Sequence, residues 1–277
     1  MKKKLWFAAI LIVVGILVSA IAMALVGFDV FKLNTMKLVD TSETIDGSFT
    51  DIQIDTDTCD IEFRIADNGI CRFEGKTLEK MPITAKVENN VLIIKQDNHR
   101  QWYDYVGIFF WNNCQITVYL PETAYNQLTV NGDTADIKIG NAFSFETISI
   151  SVSTGDIYCS AAVNSMTAKA STGDIVLADI YAEGDISLKT STGDITLKNV
   201  ICKDLFAKLD TGDMKLVDCD AQSLDIKTST GDVTGTLLTE KSFFTFTSTG
   251  DIHVPESYSG GPCKIKTSTG DIRISFQ

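Results

Sequence analysis

Seven aspartates in the second half of the chain are the residues whose type and spacing could do chemistry. Each follows a Thr-Gly step, and successive copies lie 18 to 20 residues apart. Repeated carboxylates could bridge calcium through their oxygens, or act as acid and base in cleavage of a glycosidic bond. The seven pairs are Gly155 and Asp156, Gly173 and Asp174, Gly193 and Asp194, Gly212 and Asp213, Gly231 and Asp232, Gly250 and Asp251, and Gly270 and Asp271.

The positions around each pair predict the elements that carry it. With the glycine as position zero, apolar residues recur at −7, −5, +2 and +4, as in Ile186, Leu188, Ile195 and Leu197 around Gly193. This alternation predicts strands with one buried face, and Thr, Gly and Asp favour a turn between them. The period of about 19 residues predicts an all-β fold: a single β-solenoid or β-helix-like stack with two strands per coil. Two β-subdomains or an ordinary β-sandwich are the alternatives.

Weaker copies of the same frame lie upstream. Cys59 and Ala135 stand at the glycine position, each followed by Asp, and Asn90 stands there in a third copy without the Asp. We therefore predict an irregular β-repeat region at 47–147 and a regular one at 148–277.

A lysine recurs at the outward −4 position of five coils. Stacking predicts a positive row beside the aspartate row, with cross-coil Lys–Asp pairs of small individual strength. The lysines are Lys169, Lys189, Lys208, Lys227 and Lys266.

The aspartates are therefore predicted to be structural turn residues, with calcium binding and catalysis as the weaker alternatives. His99 and His253 are the only histidines, and no Ser-His-Asp or Cys-His spacing stands out. We expect no catalytic residue, no metal and no cofactor.

One aromatic segment, 99–113, interrupts the frame. It predicts either a hydrophobic cap over one end of the stack or a contact with a partner or membrane. The candidate partner-binding residues are Trp102, Tyr103, Tyr105, Phe109, Phe110 and Trp111.

The N-terminus predicts a signal-anchor helix. Residues 1–4 form a basic tail, and the uncharged run 5–28 is long enough to cross a bilayer as a helix. Lys2, Lys3 and Lys4 favour the cytoplasmic side, which places the rest of the chain outside. Cleavage after Ala24 is the alternative. Residues 29–46 are predicted to be a juxtamembrane connector.

Charge and cysteine content narrow the partners further. The formal net charge is −12, and without the three N-terminal lysines it is three units more negative, which disfavours nucleic acid. The seven cysteines show no zinc spacing. Most are predicted to be small buried apolar residues, although an exported chain could form disulfides.

The combination of an N-terminal anchor, the strand end Val118 to Pro121 and serial Ser-Thr-Gly-Asp-Ile repeats resembles the bacterial putative-adhesin family of β-strand-repeat proteins, domain of unknown function 4097. The resemblance covers about 45–277. It implies a cell-envelope protein and offers no catalytic residues to carry over.

The combined expectation is a non-catalytic, single-pass protein of the cytoplasmic membrane with an extracytoplasmic domain. It would act as an interaction or scaffold module, in adhesion or envelope stress, on an envelope protein or glycan. A carbohydrate-active enzyme or a calcium-stiffened spacer are the alternative functions.

Overall fold

A single helix precedes the β-structure. The computed structural model describes residues 2–25, 27–28, 37–101, 114–257 and 259–277. The helix α1 (Lys2–Leu25) covers most of the predicted anchor. Among the described residues no helix is long and apolar enough to cross a membrane, so the predicted transmembrane span is not supported.

The rest of the described chain is built from strands, which confirms the all-β prediction. The strands are β1 (Leu38–Thr44), β2 (Asp51–Thr56), β3 (Cys59–Ile65), β4 (Arg72–Leu78), β5 (Ile83–Glu88), β6 (Val91–Gln96), β7 (Cys114–Leu120), β8 (Ala124–Thr134), β9 (Ile137–Ile139), β10 (Ser144–Thr154), β11 (Ile157–Cys159), β12 (Ala162–Thr172), β13 (Ile175–Tyr181), β14 (Ile186–Thr192), β15 (Ile195–Thr211), β16 (Met214–Thr230), β17 (Val233–Leu237), β18 (Lys241–Phe246), β19 (Ile252–His253), β20 (Gly261–Lys266) and β21 (Ile272–Phe276).

Two parallel ladders carry the repeats, one on each side of the Thr-Gly-Asp corner. The ladder before the corner runs in the order β6, β2, β8, β10, β12, β14, β15, β16, β20, β18. The ladder after the corner runs β7, β3, β9, β11, β13, β15, β16, β17, β21, β19. The long strands β15 and β16 contribute one half to each ladder, so the chain continues from coil to coil without a loop.

The stacking order differs from the chain order at both ends. The last coil, around Gly270, lies between the coils of Gly231 and Gly250, because β20 pairs with both β16 and β18. At the other end the coil of β2 and β3 lies between that of β6 and β7 and that of β8 and β9. The outermost coils of the stack are therefore not the outermost in sequence.

Antiparallel strands extend the N-terminal end. β4 pairs with β7, and β1 pairs with β4. β1 lies within 29–46, so part of the predicted connector belongs to the sheet. β5 pairs antiparallel with β6 through a hairpin in which Asn89 and Asn90 have φ of 51° and 67°. The interpretation of Asn90 as a coil corner was therefore wrong: two residues with positive φ suit a hairpin turn.

The core lies between the two ladders. Around Gly193, Ile186, Leu188, Ile195 and Leu197 are all fully buried, and the same alternation buries one face of each neighbouring strand. Alternation works because successive side chains of a strand point to opposite faces. The outward positions −6, −4 and −2 are left to form an exposed or half-buried polar surface.

Candidate functional site

A continuous chain of hydrogen bonds links the corner aspartates. Except in the terminal Asp251, Oδ1 of each accepts a hydrogen bond from the backbone N–H of the aspartate in the adjacent coil: Asp213 N to Asp194 Oδ1 is 2.8 Å, and Asp194 N to Asp174 Oδ1 is 2.7 Å. The chain runs through Asp60, Asp136, Asp156, Asp174, Asp194, Asp213, Asp232, Asp271 and Asp251. Each of the eight accepting carboxylates thus satisfies a backbone donor that the bend leaves outside the regular strand pairing.

The glycine before each aspartate is required by the same stacking. The seven corner glycines have φ between 133° and 145°, where residues with a side chain are strained. A Cβ on Gly212, for example, would overlap the carbonyl oxygen of Gly193 in the adjacent coil. Buried threonines at −3 reinforce some corners: Thr190 Oγ1 donates to the Gly173 oxygen at 3.1 Å. The corners are thus closely packed backbone, with no room for a ligand between coils.

Two of the carboxylates have perturbed pKa values in opposite directions. The hydrogen bond from the backbone N–H of Asp251 lowers the pKa of Asp271, and the guanidinium of Arg273 lowers it further. Burial raises the pKa of Asp60, although the hydrogen bond from the Asp136 N–H acts against it. Within the described residues, no group of three or more His, Cys, Asp or Glu side chains is placed to hold a metal ion.

The five repeat lysines stand in one row, which we call the lysine row. Strand pairing places Lys169 opposite Lys189, Lys189 opposite Lys208, Lys208 opposite Lys227 and Lys227 opposite Lys266. The predicted pairing with corner aspartates does not occur in the described structure. Lys208 Nζ lies 3.8 Å from Asp210 Oδ1, and Lys227 Nζ lies 2.9 Å from Asp225 Oδ2. Both aspartates are on the same face of the sheet as the lysine row. The corner carboxylates are bonded by backbone N–H groups and, at Asp232 and Asp271, paired with Arg273 instead of a lysine.

The six aromatic candidates of the insert, residues 102 to 111, lie outside the described residues, but both flanks of the insert are defined. Arg100 Nη2 lies 2.7 Å from Asp57 Oδ2, and Asn98 Nδ2 donates to the same oxygen at 2.9 Å. On the other side Cys114 is joined to Cys59 by a disulfide. β6 ends at Gln96 and β7 begins at Cys114, and each strand is the outermost of its parallel ladder.

A polar cleft of about 350 Å³ opens at the ends of β2, β6, β8 and β10. Asp55 accepts hydrogen bonds from Asn131 at 2.8 Å and from Gln53 at 2.8 Å, so its carboxylate is already engaged. Gln96 is buried, and its Oε1 accepts from Thr56 Oγ1 and from two backbone N–H groups. These bonds stabilise the corner of β2 and β3. The lining residues are Asp55, Thr56, Asp57, Gln96, Asn131, Gly132, Asp133, Ser151 and Ser153.

A second cleft, of about 540 Å³, lies along the edge opposite the corners. Its wall contains a buried ion pair, in which Lys241 Nζ lies 2.5 Å from Asp220 Oδ1. The sequence frame did not single out either residue. One feature of β18 could have pointed to Lys241. Phe244 and Phe246 are exposed, so the odd-numbered residues of β18, including Lys241, face inward.

The five remaining cysteines are buried and free: Cys71, Cys159, Cys202, Cys219 and Cys263. Burial raises the pKa of the Cys159 thiol to about 12 and that of Cys263 likewise to about 12. A thiol with such a pKa is a poor nucleophile near neutral pH. These residues fill the core, as predicted for most of the cysteines.

Comparison with known proteins agrees with this architecture. The model of the Toastrack DUF4097 family matches residues 49–183 and again residues 158–277. The fold is similar to a protein from Parabacteroides distasonis described as a putative lipid binding protein, with a TM-score of 0.55, 14% identity, and coverage of 85% of this chain and 97% of that one. A putative adhesin from the same species gives a TM-score of 0.50, 14% identity, and coverage of 87% and 98%. No curated protein matches the sequence.

Proposed function

Since the chain belongs to the Toastrack DUF4097 family, and its repeated carboxylates are bonded to backbone, we propose that it is a non-catalytic interaction or scaffold protein of the bacterial cell envelope. The observation that carries the proposal is the chain of N–H to Oδ1 bonds through nine corner aspartates. A general acid or base must reach the substrate, whereas these oxygens are aimed at the next coil. The most repeated acidic group of the chain thus has a structural role.

An extracytoplasmic location is part of the proposal. Three observations support it: the basic start Lys2, Lys3 and Lys4, the exposed apolar side chains of α1 such as Trp6 and Leu17, and the disulfide between Cys59 and Cys114. Disulfides persist in oxidising compartments, and basic residues before an apolar segment favour the cytoplasmic side. We propose that α1 tethers the β-domain at the outer face of the cytoplasmic membrane.

The test of function is in-cell cross-linking of the full chain, followed by affinity capture and identification of bound proteins and glycans. We expect envelope components to be enriched over a control protein exported by the same route. Capture of cytoplasmic components alone, or of nothing above the control, would contradict the proposal. Turnover of an envelope glycan that is lost in Asp194→Asn, with the fold intact, would indicate an enzyme instead.

The test of location is protease treatment of intact cells from which any outer permeability barrier has been removed. We expect the β-domain to be degraded while a cytoplasmic marker survives, and the chain to stay with membranes after alkaline washing. Protection of the β-domain from the protease, or release of the chain by the alkaline wash, would contradict tethering by α1 at the outer face of the membrane.

A further inference from the structure

The lysine row is a line of five cations on the surface of a chain that is acidic overall. Its five members come from five adjacent strands and lie in register, so neighbouring Cα atoms are about 4.8 Å apart and the row spans roughly 19 Å along the stack. We propose that the lysine row binds a linear phosphodiester polymer of the cell envelope, laid along the axis of the stack. This deepens the proposed function, on which it rests, by naming the chemistry of the partner.

The protein itself neutralises only part of the row. In the described structure Lys169, Lys189 and Lys266 have no carboxylate within ion-pair distance, and Lys208 and Lys227 each have one. The same face also carries Lys264, opposite Asp225. Like charges on adjacent strands destabilise a sheet, so five in register impose a cost that an anionic ligand would remove. This positive row belongs to a chain whose formal net charge is −12.

Hydroxyl groups flank the lysines. The −2 position, next to the corner, is serine in four of the five coils and Asp210 in the fifth. On the other side, Thr167 and Ser187 occupy −6 in the first two coils, followed by Phe206 in the third. Serine and threonine hydroxyls donate to phosphate oxygens, so the face offers both charge and neutral donors. The four serines are Ser171, Ser191, Ser229 and Ser268.

The linear arrangement of the lysines favours binding of a polymer over binding of a lipid surface. The positive groups form a single line, and the aspartate corners run parallel to it a few residues away. A flat anionic membrane would meet both rows at once, whereas a thin polymer can follow the lysines alone. Nucleic acid is disfavoured by the formal net charge of −12. Aromatic rings do flank the row, since Lys266 Nζ lies 5.5 Å from the ring centroid of Phe246 and Lys227 Nζ lies 5.5 Å from that of Phe206, so single-stranded DNA is one arm of the test.

The experiment measures binding of the full chain to poly(glycerol phosphate) as a function of salt. Counterion release of about 0.7 per neutralised phosphate predicts a slope of log K against log salt of about −3.5 for five lysines. The variant Lys189→Gln, Lys208→Gln, Lys227→Gln should bind about tenfold more weakly or worse at low salt, with the slope reduced by about two.

The matched control removes three lysines from other exposed positions: Lys198→Gln, Lys203→Gln, Lys215→Gln. It has the same net charge as the test variant and should bind as the wild type does. Thermal unfolding checks that both variants fold, and removal of like charges from the row should not lower the melting temperature.

Three results would overturn the inference. The first is an equal loss in the control variant, which would reduce the effect to net charge. The second is tighter binding of a single-stranded DNA oligomer with the same number of phosphates, or of vesicles containing phosphatidylglycerol. The third is no binding to poly(glycerol phosphate) at low salt. None of these results would by itself remove an envelope protein partner found by cross-linking, so the two proposals fail separately.

Discussion

The backbone N–H of Asp271 donates to Oδ1 of Asp232 at 2.7 Å, although 39 residues separate the two in sequence. Asp251, which lies between them in the chain, instead donates to Asp271 from the outside. β20 and β21 are therefore inserted between two coils that precede them in sequence. One consequence is that the stack cannot be completed from β16 onward until β20 and β21 are in place.

The inserted coil should be less tolerant of substitution than the coil that covers it. A Cβ on Gly270 would overlap the oxygen of Gly231, and a Cβ on Gly250 would overlap that of Gly270. We expect Gly270→Ala to lower the free energy of unfolding by about 2–4 kcal/mol, because positive φ and a backbone clash combine. Gly250→Ala should cost less, because the terminal coil can open locally.

Urea unfolding of the two variants measures the difference. Gly140→Ala is the control, since it has open space around its Cβ and no positive φ; its effect should be within about 0.5 kcal/mol. A larger loss for Gly250→Ala than for Gly270→Ala would indicate that the coils stack in chain order.

The carboxylate of a central corner should contribute measurably to stability. In Asp194→Ala the backbone N–H of Asp213 loses its acceptor, at a cost of about 1–2 kcal/mol, while Asp194→Asn keeps an oxygen and should lose about half as much. The control is Asp185→Ala, an exposed carboxylate 3.9 Å from Lys203 Nζ, with an expected effect below about 0.5 kcal/mol.

Amide hydrogen exchange gives a local reading of the same variants. The Asp213 amide should exchange faster in Asp194→Ala than in the wild type. An unchanged Asp213 amide would mean that the corner bond does not protect it.

The same substitution at two corners should have opposite effects at neutral pH. The pKa of Asp271 is lowered in the fold, so its carboxylate stabilises the protein above its unfolded pKa of about 3.8, and the gain is lost as pH falls through the folded value. Asp271→Asn should therefore be less stable than the wild type at pH 7, and the difference should shrink as pH falls through the folded pKa.

The pKa of Asp60 is raised, so its contribution is present below about pH 3.8 and is lost as pH rises through the folded value. Asp60→Asn resembles the protonated form and should be more stable than the wild type at pH 7, with no difference at low pH. Melting temperatures across this range test both variants, and effects of the same sign at pH 7 would refute the assignment.

The cysteines should divide into two that are bonded and five that are free. Unfolding the protein in denaturant with iodoacetamide should add five carbamidomethyl groups without reductant and seven after reduction. Replacing Cys59 and Cys114 by serine should cost about 2–4 kcal/mol, because the bridge closes a long loop. Seven additions without reductant would show that the disulfide is absent.

The regular coils could be read from the sequence because each repeat carries the same local information. The alternation at Ile195 and Leu197, the glycine and the aspartate all specify one bend between two half-buried strands. The role of the aspartate as a turn residue followed from this frame. The hydrogen bond that the aspartate accepts from the next coil could not be predicted, because the sequence does not say whether a carboxylate at a turn bonds to nearby or to distant backbone.

The errors have a common cause in pairing between distant segments. Alternation around Asn90 fits a hairpin as well as a parallel coil, because both bury every second residue. Likewise, the spacing of 19 or 20 residues does not tell whether the coil of Gly270 stacks beyond the coil of Gly250 or between the coils of Gly231 and Gly250. The one clue was that Phe244 and Phe246 occupy the outward −6 and −4 positions of the Gly250 coil, where most other coils have polar residues. Both side chains are exposed in this terminal coil.

We propose that the Thr-Gly-Asp corners hold the stack together and take no direct part in the protein's activity. The most direct test is retention of the full-length Asp194→Ala variant on isolated cell envelopes, at a temperature where circular dichroism shows it to be folded. We predict retention equal to that of the wild type, together with a lower urea midpoint. Loss of retention in the folded variant, with its stability unchanged, would contradict the account.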